Sequence, residues 1–344
     1  MLTYFHPEQL LHHPRTYLSR GQMRTPQEIP ERAARLVAAS MALGFDVREP
    51  ADFGVAPLAM VHDMSYLRFL EGAHCEWKKM PDDWGDEVMS NIYVREPNRL
   101  RGVLAQAARF LADGSCPVGP NTWRSAYWSA QSALAAAAAI NDGAREAYAL
   151  CRPPGHHARA DSAGGFCYLN NAALAAQALR SHHGRVAILD TDMHHGQGVQ
   201  EIFYRRSDVQ YVSIHGDPTN FYPAVAGYED ECGEGAGAGF NINFPIPHGS
   251  SEQAFFERVD DAFRALKRFE PDALVLALGF DIFKDDPQSQ VAVTTDGFER
   301  LGRVVGAFGL PTVIVQEGGY HIASLEANAR AFFDGFAWAR STGG

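Results

Sequence analysis

The stretch DTDMHHGQG at residues 190–198 places carboxylates and imidazoles directly behind the apolar run RVAIL. Asp190 and Asp192 are two residues apart, so in an extended chain their side chains point the same way, and His194 continues that face. Imidazole nitrogens and carboxylate oxygens both bind zinc, and a catalytic zinc typically has three protein ligands and one open position. Asp192 and His194 are therefore candidates for two of the three ligands.

Polar clusters follow four separate apolar runs in the second half of the chain. Residues 146–151 lead into RPPGHH, 185–189 into DTDMHHGQG, 273–279 into FDIFKDDP and 312–316 into EGGYH. Because parallel strands end along one edge of their sheet, where such folds bind ligands, we expect these clusters to meet there. Asp281, just beyond the third run, is then the candidate third ligand.

Two further groups suit proton transfer and the stabilisation of negative charge. His156 and His157 follow a Pro-Pro-Gly turn, and adjacent loop side chains diverge, so proton transfer suits them better than joint metal binding. Tyr320 follows Gly318 and Gly319, which permit close approach of the backbone to a ligand. Its phenol is a candidate hydrogen-bond donor to a developing oxyanion.

The elements that must position these groups are visible as apolar runs alternating with helical stretches. Such alternation predicts an α/β fold around a mostly parallel sheet. The last helix opens with Thr295 and Asp296, both common N-cap types. Strands are predicted at 146–151, 185–190, 209–215, 240–246, 273–279 and 312–316, and helices at 171–182, 251–269 and 295–309.

The first 145 residues predict helices at 30–44, 65–74 and 125–140. Between the last two lies an irregular, charged and aromatic tract at 75–124. No compositional break marks a second domain. We therefore expect one domain over residues 1–344, with an insertion at about 75–124 near the mouth of the site.

Composition narrows the class of protein. The 344 residues include 46% hydrophobic and 21% charged residues, and no apolar stretch approaches the ~20 residues that span a bilayer. With no secretion signal and no CxxC pair among the five cysteines, we expect a cytoplasmic protein without a disulfide framework. The net charge of −11 disfavours nucleic-acid binding; it suits a cationic substrate, although solubility alone would also account for it.

Taken in order, the motifs resemble the zinc-dependent deacetylase family that contains the histone deacetylases, and within it the bacterial acetylpolyamine amidohydrolases. The resemblance runs from about residue 20 to the C-terminus. It implies the arginase/deacetylase fold, a three-layer domain around a mostly parallel sheet, with one Zn²⁺ per subunit. The motifs that carry it are RPPGHHA, GGFCYLNN, DTDMHHGQG, VSIHGDP, LGFDIFKDDP and EGGY.

The same resemblance implies roles for individual residues. His157 takes a proton from the attacking water and returns it to the leaving amine, Tyr320 stabilises the oxyanion together with zinc, and His156 stays charged. The remaining assignments are zinc ligands Asp192, His194 and Asp281; substrate-channel residues Gly165, Phe166 and Tyr222; Asp190, which orients His156; and a possible structural K⁺ near Asp190, Asp192, His194 and Ser213.

Gln197 departs from the family pattern. This position is aspartate in many histone deacetylases and often asparagine in polyamine relatives, where it hydrogen-bonds the second tandem histidine. Glutamine carries no charge, so it would not raise the pKa of His157 as a carboxylate does. We expect His157 to be neutral near pH 7. Since glutamine is one methylene longer than asparagine, the sequence does not settle whether the contact forms.

The resemblance favours a small cationic acetylated amine as substrate, with neither nucleic acid nor membrane as a partner. It also predicts a homodimer formed through the 75–124 insertion, which narrows the channel mouth. The acidic residues of the insertion face either a polyammonium tail or solvent. They include Asp82, Asp83, Asp86, Glu87 and Glu96.

Other functions remain open at this point. The protein could deacetylate lysine side chains or other small acetylated amines. A dinuclear manganese ureohydrolase shares the implied fold but needs further carboxylates in DxHxD clusters, which the chain lacks. A catalytically inactive acyl-amine binding protein is the non-enzymatic alternative, and the intact set of ligands, histidines and tyrosine argues against it.

Overall fold

The computed structural model describes residues 1–94 and 99–342. Within them the strands are β1 (Leu2–Tyr4), β2 (Tyr17–Ser19), β3 (Gln22–Arg24), β4 (Asp46–Arg48), β5 (Glu146–Ala149), β6 (Val186–Asp190), β7 (Val209–Gly216), β8 (Asn241–Ile246), β9 (Ser250–Ser251), β10 (Ala273–Leu278), β11 (Val291–Ala292) and β12 (Thr312–Gln316). The α-helices are α1 (Pro30–Ala42), α2 (Met64–Trp77), α3 (Val103–Phe110), α4 (Thr122–Asn141), α5 (Asn171–Leu179), α6 (Gln197–Phe203), α7 (Glu252–Phe269), α8 (Thr295–Ala307) and α9 (Ile322–Thr342).

Eight of these strands form one sheet in the order β4-β1-β5-β12-β10-β6-β7-β8. Every neighbouring pair is parallel. The register aligns Ala277 with Asp190 of β6 and Leu278 with Gln316 of β12. The ends of β6, β10 and β12 therefore lie side by side, with β5 next to β12. The predicted parallel sheet is confirmed.

The core lies on both faces of this sheet. Successive residues of a strand point to opposite faces, so Val275 of β10 packs into one apolar cluster while Leu274 and Leu276 pack into the other. Helices α2–α5 contribute to the first cluster, and α1, α7, α8 and α9 to the second. Full burial of each leucine contributes about 1.5–3 kcal/mol to stability. The result is the three-layer domain that the resemblance implied.

The N-terminal part holds two strands of the main sheet that the sequence analysis did not predict. These are β1 and β4, and each is three residues long, too short to show a periodic pattern. The tract at 75–124 is also less irregular than expected. Its helix α3 buries Val103, Ala107 and Phe110, and the Phe110 ring lies 5.2 Å from that of Phe69 on α2. This part of the tract belongs to the core.

Helix α8 is capped one residue earlier than expected. The N-cap is Thr294, whose hydroxyl accepts a hydrogen bond from the Gly297 N–H at 3.1 Å. Thr295 instead donates to the Asn328 side chain of α9 at 2.7 Å. Among the described residues, no helix combines the length and apolarity needed to cross a membrane.

Candidate active site

Asp192, His194 and Asp281 meet beyond the ends of β6 and β10. All three are buried, and one ligand atom of each lies within 4.8 Å of the others. His194 Nδ1 is 3.2 Å from an Asp281 oxygen and 3.4 Å from an Asp192 oxygen. One imidazole and two carboxylates at this spacing fit the three-ligand pattern of a catalytic zinc.

Glycines make room for the two carboxylates. A Cβ on Gly279 would lie 2.4 Å from an Asp192 oxygen, and one on Gly318 would lie 2.6 Å from oxygens of both Asp192 and Asp281. The Gly318 N–H donates to Asp192 at 2.7 Å, and the Met193 N–H donates to Asp281 at 3.0 Å. The backbone therefore aims one oxygen of each carboxylate, and no larger residue fits at either glycine.

The electrostatics of the cluster also suit a cation. Burial and the neighbouring Asp192 carboxylate raise the pKa of Asp281 above its usual range. Burial lowers the pKa of His194, but the two carboxylates outweigh it and raise that pKa to about 9. Two buried carboxylates this close repel each other, and a divalent cation between them would relieve that repulsion. The donor set therefore fits zinc both chemically and electrostatically.

A second buried group, His156, Cys167 and Glu317, is equally compact. One Glu317 oxygen accepts hydrogen bonds from the N–H groups of Gly155 and His156, at 2.7 and 3.1 Å. This carboxylate ties the loop after β5 to the end of β12. Glu317 belongs to the EGGY motif, but its place in the sequence predicts no role for it.

His156 is held against buried carboxylates. Its Nδ1 lies 3.1 Å from an Asp190 oxygen that also accepts the Tyr211 hydroxyl hydrogen at 2.9 Å. Burial lowers the pKa of His156, but Asp192 and Asp190 outweigh burial and raise it to about 10. These buried carboxylates therefore favour the cationic form of His156.

His157 has a neutral partner. Its Nδ1 lies 2.6 Å from Gln197 Oε1, so the glutamine makes the contact that the sequence left open. Burial, followed by the charges of His156 and His194, lowers the pKa of His157 well below its usual value. Because an amide oxygen only accepts hydrogen bonds, Nδ1 carries the proton and Nε2 keeps a free lone pair.

Two of the predicted channel residues, Gly165 and Tyr222, lie against His157, and the third, Phe166, lies near Tyr320. The Tyr222 ring lies 4.8 Å from the His157 ring, nearly perpendicular to it. Gly165 is wedged between them, since a Cβ there would lie 2.3 Å from His157 and 2.8 Å from Tyr222. Phe166 has φ +68°, a conformation that is unfavourable for a non-glycine residue and is concentrated at functional sites. Its ring lies 6.1 Å from that of Tyr320.

The loop that carries Tyr320 is fixed by two charged residues that sequence analysis missed. Asp286 accepts a hydrogen bond from the Tyr320 N–H at 2.6 Å. Arg32 of α1 donates to the carbonyls of Gly319 and Glu317 at 2.5 and 2.6 Å, and its guanidinium stacks over the Tyr320 ring at 4.7 Å. In the sequence Arg32 resembles any surface arginine of a charged helix; only its burial distinguishes it.

Residues 24–336 match the profile of the histone deacetylase domain family. The chain belongs to this family. An acetylpolyamine amidohydrolase of Burkholderia pseudomallei (strain 1710b) is 79% identical over 98% of each chain. Acetylpolyamine amidohydrolase 1 of Pseudomonas aeruginosa is 42% identical over 98% of this chain and 99% of its own. The crystal structure of the Burkholderia pseudomallei acetylpolyamine aminohydrolase, from an iodide soak, is 78% identical. It superimposes with a TM-score of 0.98 over 98% of this chain and 99% of that one.

These comparisons confirm the resemblance and its fold. As a histone deacetylase family protein, the chain is a hydrolase that acts on acetyl amides. The roles of the individual side chains in the site remain predictions, although the structure brings every predicted metal, histidine, tyrosine and channel residue into one region.

The acidic residues of the insertion behave differently from one another. Asp86 is paired with Arg15 at 2.8 Å and Lys78 at 3.2 Å, and Glu87 accepts the Arg15 N–H at 3.0 Å. These two carboxylates have partners within the chain and are poorly placed to bind a substrate tail. Asp82 and Asp83 are exposed, whereas Glu96 lies outside the described residues.

Proposed function

We propose that this protein hydrolyses the acetamide of acetylated polyamines with zinc, releasing acetate and the free amine. The observation that carries this proposal is the meeting of the Asp192, His194 and Asp281 ligand set with a charged and a neutral histidine at one edge of the sheet. The relatives named acetylpolyamine amidohydrolase, aligned over nearly the whole chain, support the choice of substrate.

Asp192, His194 and Asp281 would hold the zinc, which would supply Lewis-acid chemistry to the acetamide and the attacking water. His157 is neutral and has a free Nε2, so it takes the proton as water attacks and then donates it to the leaving amine. His156 stays cationic and stabilises the negative charge that develops. The Tyr320 hydroxyl donates a hydrogen bond to the oxyanion.

The aromatic rings of Phe166 and Tyr222 are proposed to enclose the apolar aminoalkyl chain. We propose in addition that two chains associate through the 75–124 insertion and narrow this entrance. Supporting this, the insertion exposes four large apolar side chains, three of them consecutive in the chain, and exposed apolar surface is typical of protein contacts. Their exposed fractions are Trp84 36%, Ile92 47%, Tyr93 47% and Val94 39%. Light scattering coupled to gel filtration should give the mass of two chains, and the mass of one chain would contradict this part of the proposal.

The decisive assay compares three substrates on zinc-loaded protein: acetylputrescine, an acetylspermidine and an acetyl-lysine peptide. We expect kcat/KM for the acetylpolyamines to exceed that for the peptide by about 10-fold or more, which is about 1.4 kcal/mol of transition-state binding. The matched control is Asp281→Asn, which removes one metal ligand. A preference for the peptide would make the protein a lysine deacetylase, and no turnover of any acetyl amide would favour a binding protein.

Two finer expectations complete the proposal. A structural K⁺ is proposed near Asp190, Asp192, His194 and Ser213, supported by the β6–β7 register that aligns Asp190 with Ser213. Replacing K⁺ with a large organic cation should then lower the melting temperature. A cytoplasmic location is supported by the five cysteines, all of which are free thiols.

A further inference from the structure

A chain of hydrogen bonds leads from His157 away from the metal ligands and into the insertion. His157 Nδ1 contacts Gln197 Oε1 at 2.6 Å, and Gln197 Nε2 lies 3.3 Å from the Tyr222 hydroxyl. That hydroxyl lies 2.7 Å from an Asp113 oxygen. We call these four residues, Asp113, Tyr222, Gln197 and His157, the outer hydrogen-bond chain.

The carboxylate at its far end fixes the direction of every bond in this chain. An ionised Asp113 only accepts hydrogen bonds, so the Tyr222 hydroxyl must donate to it. The hydroxyl oxygen is then left to accept from the amide NH₂ of Gln197. This places the Gln197 carbonyl toward His157, and His157 must therefore carry its proton on Nδ1.

Asp113 is itself well anchored. Its Oδ1 accepts the Ser115 N–H at 2.8 Å, and its Oδ2 accepts the Gly165 N–H at 3.3 Å. The turn from Asp113 to Ser115 packs tightly, because a Cβ on Gly114 would lie 2.6 Å from the Leu18 side chain. The carboxylate is therefore a fixed point on the channel wall.

Gln197 needs such an anchor. A free glutamine side chain has three rotatable bonds, and ordering it costs up to about 1.5–2 kcal/mol of conformational entropy. Its amide can also rotate by half a turn and present NH₂ to His157, which would favour the proton on Nε2, where the lone pair is needed. Tyr222 removes this alternative only while its own hydroxyl is committed to Asp113.

We propose that Asp113 is a positioning residue that acts through Tyr222 and Gln197 to hold His157 in the Nδ1–H tautomer. Its effect on turnover rests on the proposed function, in which His157 Nε2 accepts the proton from water. Asp113 reaches His157 through two neutral side chains, Tyr222 and Gln197, so it orients the imidazole without placing a charge beside it.

The competing role for Asp113 is direct binding of a substrate ammonium group, since the residue is only partly buried at the channel wall. The two roles differ in the kinetic constant they affect. A positioning residue lowers kcat with little change in KM, whereas an ammonium-binding residue raises KM for cationic substrates.

The first test is a double-mutant cycle on zinc-loaded protein with acetylputrescine. Tyr222→Phe keeps the aromatic wall and should lower kcat by about 10- to 100-fold, the usual effect of losing a residue that orients a catalytic ligand. Asp113→Asn should lower kcat by a smaller factor, since the amide oxygen of the new side chain still accepts from the Tyr222 hydroxyl part of the time. Adding Asp113→Asn to Tyr222→Phe should cost nothing further, because the hydroxyl it orients is gone.

The matched controls are Tyr127→Phe and Asp52→Asn. These residues form the same tyrosine–aspartate hydrogen bond elsewhere on the molecule and should leave kcat and KM unchanged. Thermal melts establish that each variant is folded. Additive losses in the double variant, or a raised KM with unchanged kcat in Asp113→Asn, would overturn the proposal.

The second test observes the tautomer itself. Protein labelled with ¹⁵N-histidine and loaded with zinc should show His157 protonated at Nδ1, with its signals assigned by their loss in His157→Gln. Tyr222→Phe should give a mixture of tautomers. An unchanged tautomer in that variant would refute the role of Asp113 even if turnover fell. Since this readout needs no substrate, it remains valid if the proposed substrate is wrong.

Discussion

His156 and His157 are adjacent in sequence, are both buried, and have ring centroids 3.9 Å apart, yet their pKa values are shifted in opposite directions. His156 contacts the Asp190 carboxylate and has a raised pKa, whereas His157 contacts the Gln197 amide and has a lowered one. Burial acts on both in the same direction, lowering the pKa. The carboxylates of Asp192 and Asp190 outweigh burial at His156, whereas at His157 burial is reinforced by the neighbouring imidazoles of His156 and His194.

The two environments also depend on each other. A protonated His156 so close to His157 makes a second positive charge unfavourable, and His156 contributes to the lowered pKa of its neighbour. Gln197 is uncharged, so it does not stabilise the protonated form of His157 as a carboxylate would. The outcome is one imidazole with a raised pKa and one with a lowered pKa within a single pair of residues.

The largest expected effect on turnover comes from replacing His157, the histidine with the lowered pKa. His157→Gln should lower kcat by about 10²–10⁴-fold, the usual contribution of a general acid–base, because it removes the imidazole that the proposed mechanism uses to accept the proton. Steady-state kinetics with acetylputrescine would measure this, together with a thermal melt to show that the fold is retained. A variant that keeps a tenth of the activity would assign the base elsewhere.

Removing the Asp190 carboxylate, which contacts His156, should mainly lower the free energy of unfolding. Asp190→Asn leaves His156 without its nearest buried partner, and breaking such a pair costs about 3–5 kcal/mol. Gln197→Ala removes a neutral hydrogen-bond partner and should cost about 1–3 kcal/mol. Urea unfolding of the two variants measures the difference, and equal losses would show that the ionic character of the His156 contact is unimportant.

Tyr320→Phe tests whether a group other than the histidines stabilises the oxyanion. The variant should fold and bind zinc but lose about 10²–10³-fold in kcat, as when one oxyanion donor is removed. Kinetics and metal analysis on the same preparation check both halves of this expectation. Near-normal turnover would show that Tyr320 does not stabilise the oxyanion and would leave that role to His156.

The smallest effect should come from making the neutral contact ionic. In Gln197→Asp the new carboxylate favours protonated His157 and so raises its pKa. Because the base must be neutral, the acidic limb of the kcat/KM profile should move to higher pH, by about one unit for 1.4 kcal/mol of added attraction. Gln253→Asp, on the exposed face of α7, controls for the added charge. An unchanged acidic limb would show that residue 197 does not tune His157.

Much of the C-terminal fold could be predicted because its strands are near-continuous apolar runs bounded by polar clusters. The strands from β5 onward in the main sheet lie within about two residues of the predicted ranges. The short strands β1 and β4 could not be predicted, since three residues show no period. The place of β1 depends on pairing with distant β5, and that of β4 on pairing with β1.

The sequence by itself determined where the predicted metal ligands meet, because parallel strands end at one edge and Asp192, His194 and Asp281 follow two of those ends. It also determined that His157 has no carboxylate partner at residue 197. Only the tertiary structure decided that Gln197 reaches His157, that Arg32 is buried against the Tyr320 loop, and that Asp113 lies against Tyr222. These contacts join residues far apart in the chain, and burial and hydrogen bonding between such residues leave no local pattern in sequence.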